Sequence, residues 1–263
     1  MLDISRRAVA GASPDSPPPL AEGAALFLDF DGSLVEIAAR PDGVTVDPGL
    51  PALLEAVAAR LGGALAIVTG RRLADIDAFL TPLHLRGAGA HGTELRDRLD
   101  APARTLRLAV TSALVQSLRE QFQADPRILV EDKGAVVALH FRQAPERAQH
   151  CSDALRALVA KHPEFEAIPG SMVVEARPRG WDKGRAVWEL ARVPPFRNRA
   201  PVFVGDDVSD EEAFATAMEL DGFGIKVGKG PTRARYRVAG VDAVHAWLRR
   251  SLQADVTADR RQA

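Results

Sequence analysis

Short apolar runs that stop at a polar or glycine residue recur along the chain. They are Ala24–Leu28 before Asp29, Ala64–Val68 before Thr69 and Val202–Val204 before Gly205, with Phe223–Val227 a weaker fourth. Near-continuous apolar stretches of this length fit parallel strands buried on both faces. Helical patterns accompany them at Leu50–Leu61, Leu73–Leu80, Lys183–Ala191 and Glu211–Met218. The alternation predicts a Rossmann-like α/β core, a parallel sheet with helices on both sides and ligands at the carboxyl ends of its strands.

The middle of the chain changes period. Leu106–Phe122 reads as a helix, Ile128–Glu131 and Ala135–Arg142 alternate as half-exposed strands, Glu146–Val159 is helical, and Phe165–Ile168 and Met172–Arg177 are strands again. This α-β-β-α-β-β string predicts an antiparallel insert bounded near Ala101-Pro102 and Pro178-Arg179-Gly180. The expected organisation is a core of residues 22–103 and 178–252, a cap of 104–177, and loose tails at 1–21 and 253–263. Pro14, Pro17, Pro18 and Pro19 support the first tail.

Composition narrows the class. With 263 residues, 46% hydrophobic and 26% charged, the chain is an ordinary globular one with room for two domains. A formal charge of -1 speaks against a nucleic-acid surface. The single cysteine, Cys151, excludes an internal disulfide and a cysteine zinc cluster and fits a reducing compartment, hence the cytoplasm. Cys151 itself reads as a passive helix residue, and Trp181, Trp188 and Trp247 read as packing. No stretch approaches the ~18 apolar residues of a membrane span. Ser5-Arg6-Arg7 is similar to the start of a twin-arginine export signal, but Ala8–Ala12 is too short and too weakly apolar to follow it. A monomer is the working expectation. Only 5 of the 34 basic residues are lysines, so each lysine is a candidate for a specific role.

Chemistry concentrates at the strand ends. In Asp29-Phe30-Asp31-Gly32-Ser33 the two carboxylates lie on one side of an extended segment and Gly32 lets the chain turn away. A second acidic cluster, Gly205-Asp206-Asp207-Val208-Ser209-Asp210-Glu211, follows another strand. Read alone, that run is an acidic helix start favoured by the helix dipole. Together the two clusters call for a hard divalent cation, Mg²⁺, to offset their repulsion. Thr69-Gly70-Arg71 places a hydroxyl and backbone N–H groups at a helix start, suited to a phosphate or to a simple Thr N-cap. Lys183 begins a helix, where a cation opposes the dipole, so a functional charge is expected there.

The set Asp29-x-Asp31, Thr69, Lys183 and Gly205-Asp206-Asp207-x-x-Asp210 resembles, in order and spacing, the four motifs of the haloacid dehalogenase (HAD) superfamily of phosphohydrolases, over residues 24 to 250. The site of the insert resembles the cap, of the type termed C2B, in the subgroup that includes trehalose-6-phosphate phosphatases. Ala90-His91-Gly92, Glu131-x-Lys133-Gly134, Ala138-x-His140-x-Arg142 and Val174-Glu175-x-Arg177-Pro178 are similar to its bacterial members. Two positions depart: Ser33 stands where Thr is usual and Thr69 where Ser is common, each keeping a hydroxyl.

The resemblance implies Asp29 as nucleophile through an aspartyl-phosphate and Asp31 as general acid, then base. It implies Asp29, Asp206 and the Asp31 carbonyl as Mg²⁺ ligands. Thr69 and Lys183 would hold phosphoryl oxygens, and Asp207 and Asp210 would stand behind the metal or steady Lys183. Gly70, Arg71, His91, Gly92, Glu131, Lys133, Arg142 and Glu175 are implied as substrate contacts, with His140 and Arg177 left between sugar contact and structure. The substrate would be trehalose 6-phosphate. Sucrose phosphate, mannosylglycerate phosphate or a non-catalytic sugar-phosphate sensor remain as alternatives. Gly87-Ala88-Gly89-Ala90-His91-Gly92 matches G-x-G-x-x-G, but it follows a poor strand and reads as a flexible strand end at the hinge between core and cap, with His91 near the substrate.

Overall fold

A computed structural model describes residues 16–38, 40–105 and 111–253. The first part of the chain runs β1 (Ala24–Leu28), α1 (Leu50–Arg60), β2 (Leu65–Val68), α2 (Leu73–Leu80), β3 (Arg86–Gly89), β4 (Glu94–Arg96) and β5 (Arg104–Thr105). The middle contributes α3 (Thr111–Phe122), β6 (Leu129–Asp132), β7 (Val137–His140), α4 (Ala148–Val159), β8 (Phe165–Gly170) and β9 (Val173–Pro178). The chain then returns through α5 (Lys183–Ala191), β10 (Ala200–Gly205), α6 (Glu211–Glu219), β11 (Phe223–Val227), β12 (Tyr236–Val238) and α7 (Val241–Gln253).

Two sheets result. The larger has eight strands in the order β12-β11-β10-β1-β2-β3-β4-β5, parallel from β12 to β3 and antiparallel at its β4 and β5 edge. β1 is central and wholly buried, and its Leu26, Phe27 and Leu28 each contribute roughly 1.5–3 kcal/mol on burial. The smaller sheet, β6-β7-β9-β8, is antiparallel. One of its faces packs Val137, Leu139, Val174 and Phe165 against Leu114 and Leu118 of α3 and Cys151 and Leu155 of α4. The opposite face carries Glu131, His140 and Glu175 toward the cleft between the sheets. The expected α-β-β-α-β-β order is thus present, and the helix patterns hold at both ends of the chain.

The Gly87-rich segment ends a strand, as read: β3 pairs with β2 and β4, and a Cβ on Gly87 would lie 2.5 Å from the Ile67 carbonyl, so the glycine that weakens β-propensity is what admits this strand beside its neighbour. Three expectations need correction. Residues 17–21 are not loose, because Leu20 is buried in the core, its N–H donates to Ser251 Oγ at 3.0 Å, and Trp247 donates to the Pro18 carbonyl at 2.8 Å. Trp188 is 43% exposed and stacks with the Arg192 guanidinium, so it is not core, whereas Trp247 is. Finally, α2 begins at Leu73 with Arg72 in the N-cap position; Thr69 lies upstream, its hydroxyl accepting the Arg71 N–H at 3.2 Å. The Ser5-Arg6-Arg7 signal, the start of the Leu106–Phe122 pattern and all but the first residue of the 253–263 tail lie outside the described residues.

Candidate active site

Strand ends converge here because β10, β1 and β2 are neighbours and parallel, so the residues after each emerge on one edge. Asp29, buried, follows β1. Lys183, the first residue of α5, reaches Asp29 Oδ1 at 2.9 Å and Asp210 Oδ1 at 2.7 Å. Those two carboxylates offset its ammonium at the helix start, and Asp182 caps α5 by accepting the Arg185 N–H. Asp210 uses its other oxygen to accept the Asp207 N–H at 2.9 Å, closing a capping box ahead of α6. The acidic run is therefore a helix start and part of the site at once.

Carboxylate oxygens of Asp29, Asp206 and Asp210 lie within 4.8 Å of one another. Burial, then the Asp210 and Asp206 charges, push the Asp29 carboxyl well up from its usual range despite Lys183. Burial and Asp210 likewise push Asp206 up to about 7. Lys183 moves the other way: burial alone would lower it, but Asp210 and Asp29 hold it well above its usual value. Asp210 is satisfied by protein donors, while the Asp206 carboxylate takes none among the described residues. Gly32, at φ +72°, is required beside it, since any Cβ there would overlap that carboxylate. Convergent, mutually repelling carboxylates with one left unpaired are a donor set that fits a hard divalent cation.

Asp31 stands apart from this cluster. Its two oxygens receive Arg71 Nε at 2.6 Å and Nη2 at 2.8 Å, while the guanidinium sits 5.0 Å from the Phe79 ring centroid. Thr69, Gly70, Arg71 and His91 line the same cleft. Gly92 does not: it packs beneath the start of α5 against the Asp182 carbonyl, so its expected substrate contact is not supported by its position.

The cap side of the cleft is a chain of charges. Glu175 Oε1 pairs with Lys133 at 2.7 Å and Glu175 Oε2 with His91 Nε2 at 2.6 Å. Burial would raise Glu175, but the His91 and Lys133 charges hold it well below the usual carboxylate range. Glu131 pairs with His140 at 2.7 Å and lies 3.9 Å from Lys133. Arg142 donates to the Ser171 carbonyl at the cleft margin. Arg177 is buried on Glu166 at 3.0 Å, away from the cleft lining, which favours its structural reading. Sequence reasoning passed over Lys226, which is buried and donates through Nζ to the Asp206 carbonyl. The scarcity of lysine was the signal that could have found it. Leu129, Ile168 and Ser209 also line the cleft, and nothing in their local sequence marks them.

A parallel sheet with acidic loops at its carboxyl ends, roofed by an inserted antiparallel sheet, is a fold shared with a solved phosphatase of the HAD superfamily from Bacteroides thetaiotaomicron, at a TM-score of 0.59 and 16% identity over 91% of this chain and 99% of that one. The C-terminal domain of C. albicans trehalose-6-phosphate phosphatase superposes with a TM-score of 0.78 at 19% identity, covering 88% of this chain and 93% of that one, which shows the fold. Within that class the chain belongs to the trehalose-phosphatase family, whose model matches residues 27–242. It is 36% identical to trehalose-6-phosphate phosphatase of Escherichia coli over 88% of this chain and 87% of that one. It is 41% identical to a probable trehalose-phosphate phosphatase of Sinorhizobium fredii, covering 78% and 77% of the two chains.

Proposed function

We propose that this chain hydrolyses trehalose 6-phosphate to trehalose and phosphate with Mg²⁺, as a step of trehalose biosynthesis. The observation that carries the proposal is one cleft holding both the Asp29–Lys183 pair at its floor and the Glu175–Lys133 pair on its roof. Relatives named for this reaction support the substrate. The core, 22–103 with 178–252, supplies the chemistry. The cap, 104–177 and of the C2B type, supplies selectivity by closing over the sugar about hinges near Pro102 and Pro178. The protein works on a small molecule as a cytoplasmic monomer, without nucleic acid or membrane. Among the described residues no helix is long and apolar enough to cross a bilayer.

In this reading Asp29 attacks phosphorus and becomes the aspartyl-phosphate. Lys183 and Thr69 hold the phosphoryl oxygens and oppose their growing charge. Asp31 protonates the departing sugar oxygen, then takes a proton from the water that frees Asp29; Arg71 fixes the direction in which its carboxylate points. Asp29, Asp206 and the Asp31 carbonyl would hold Mg²⁺, which when bound screens the phosphate from the carboxylates. Lys226 and Asp210 steady that loop, and Asp207 stands beside it. Glu131, Lys133, Arg142, Glu175 and His140 read the sugar hydroxyls, where charge-assisted hydrogen bonds discriminate well.

Phosphate release across a panel of sugar phosphates tests the proposal. Trehalose 6-phosphate should be turned over at least about tenfold better than sucrose 6-phosphate, and chelator should abolish the activity. Preference for another sugar phosphate would overturn the cap assignment, and binding without turnover would make the protein a sensor.

Metal affinity should depend on pH with a defined sign. With its pKa at about 7, Asp206 is protonated below that pH and must lose the proton before it can act as a ligand. Calorimetric titration with Mg²⁺ should therefore show binding weaker at pH 6 than at pH 8 by at least about tenfold, one proton's worth from Asp206, with any proton lost from the raised Asp29 adding to it. Equal affinities at the two pH values would contradict it.

A further inference from the structure

His91 sits on a backbone that is costly to hold. Ala90, His91 and Gly92 take φ of 44°, 54° and 91°, a run that non-glycine residues adopt only when their surroundings impose it. Those surroundings are the phosphate-facing loop: Ala90 N–H donates to the Arg71 carbonyl at 2.7 Å and His91 N–H to the Thr69 carbonyl at 3.1 Å. The imidazole passes over Gly70, where a Cβ would lie 2.7 Å from Nε2, and ends on Glu175 at 2.6 Å. Glu175 belongs to β9 of the other sheet and gives its second oxygen to Lys133 at 2.7 Å. All three side chains are less than a tenth exposed. Strained turn, glycine clearance and buried ion pair thus form one connection from Thr69-Gly70 on the core to the charged pair on the cap.

We infer that His91 is a positioning residue that ties the cap's Glu175–Lys133 pair to the Thr69-Gly70-Arg71 loop, fixing the distance between the sugar-reading and phosphate-holding halves of the cleft. It acts on the sugar through Glu175 and not by touching it. The inference rests on the reading of the cleft as a sugar-phosphate site. Because Nε2 is committed to Glu175, the imidazole orients one carboxylate much as an outer partner orients a ligand.

A double-mutant cycle tests this. Turnover of trehalose 6-phosphate and of p-nitrophenyl phosphate, which has no sugar, is measured for the parent, H91A, H91Q, E175A and H91A/E175A, each first shown to melt cooperatively. H91A should lower the ratio of the two kcat/KM values about tenfold, through KM for the sugar phosphate. The double variant should be no worse than E175A within about twofold, because the two residues act as a unit. H91Q, whose amide can reach the same carboxylate, should restore most of the loss. Losses that multiply in the double variant, equal loss on both substrates, or H91Q no better than H91A would each overturn the inference. If H91A does not fold, the cycle is built from H91N, whose shorter amide does not reach the carboxylate, and E175Q. The parent's own preference is a separate readout: a parent that turns over a different sugar phosphate defeats the substrate reading, and the cycle is then read on that compound. For a parent that binds without turnover, the cycle is read on calorimetric affinity for the sugar phosphate.

Discussion

Asp29→Asn should abolish turnover of trehalose 6-phosphate, by at least about 10⁴-fold, while leaving the fold intact. The amide has the carboxylate's shape but cannot attack phosphorus. The effect on stability has a sign that separates the two roles. Burial, Asp210 and Asp206 all disfavour the ionised Asp29, so ionising it costs the parent stability. Asparagine removes that charge and keeps an oxygen for the Lys183 ammonium 2.9 Å away. The metal-free variant should therefore melt at or above the parent's temperature. Residual turnover above a thousandth of the parent's would assign the nucleophile elsewhere.

Lys183→Met should do the reverse and strike stability as hard as activity. One ammonium serves both Asp29 and Asp210, and all three groups are buried. Removing the shared partner leaves two carboxylates facing each other without compensation, which costs about 3–5 kcal/mol. For a chain of this size that is a fall of roughly 6–20 °C in Tm. Turnover should drop by at least about 10²-fold with the lost phosphoryl contact. Acidification neutralises the orphaned carboxylates, so the stability gap should narrow between pH 8 and pH 5. Melting curves at the two pH values measure it, and a variant as stable as the parent at pH 8 would show that Lys183 is not the keystone of the acidic cluster.

Much of the core was legible because parallel strands buried on both faces leave apolar runs, and the residue after each run is where chemistry emerges. Asp29, Thr69 and Asp206 were readable for that reason. β3 was less so, because its glycines answer to a neighbouring carbonyl and not to strand propensity. The cap's polar face could be read from alternation at Glu131, His140 and Glu175, but not what each residue touches. His91 meeting Glu175 and Arg71 meeting Asp31 depend on how separate segments are brought together, a quantity that no local pattern carries. Gly92, implied as a substrate contact by the resemblance of Ala90-His91-Gly92, is carried by a single residue of turn under the start of α5.

The pairing of Ala24 with Ala200 has a consequence for how the chain comes into being. β1 can find β2 early, but its other edge stays open until residues 200–205 have been synthesised, after the whole of 104–177. The smaller sheet and its two helices have every contact of their core within 114–176 and can assemble first, as a local unit. A wholly buried apolar strand therefore waits with an unsatisfied edge while the roof of its own cleft is built, and Asp29, which follows it, acquires its lysine and its acidic neighbours only when the last third of the chain arrives.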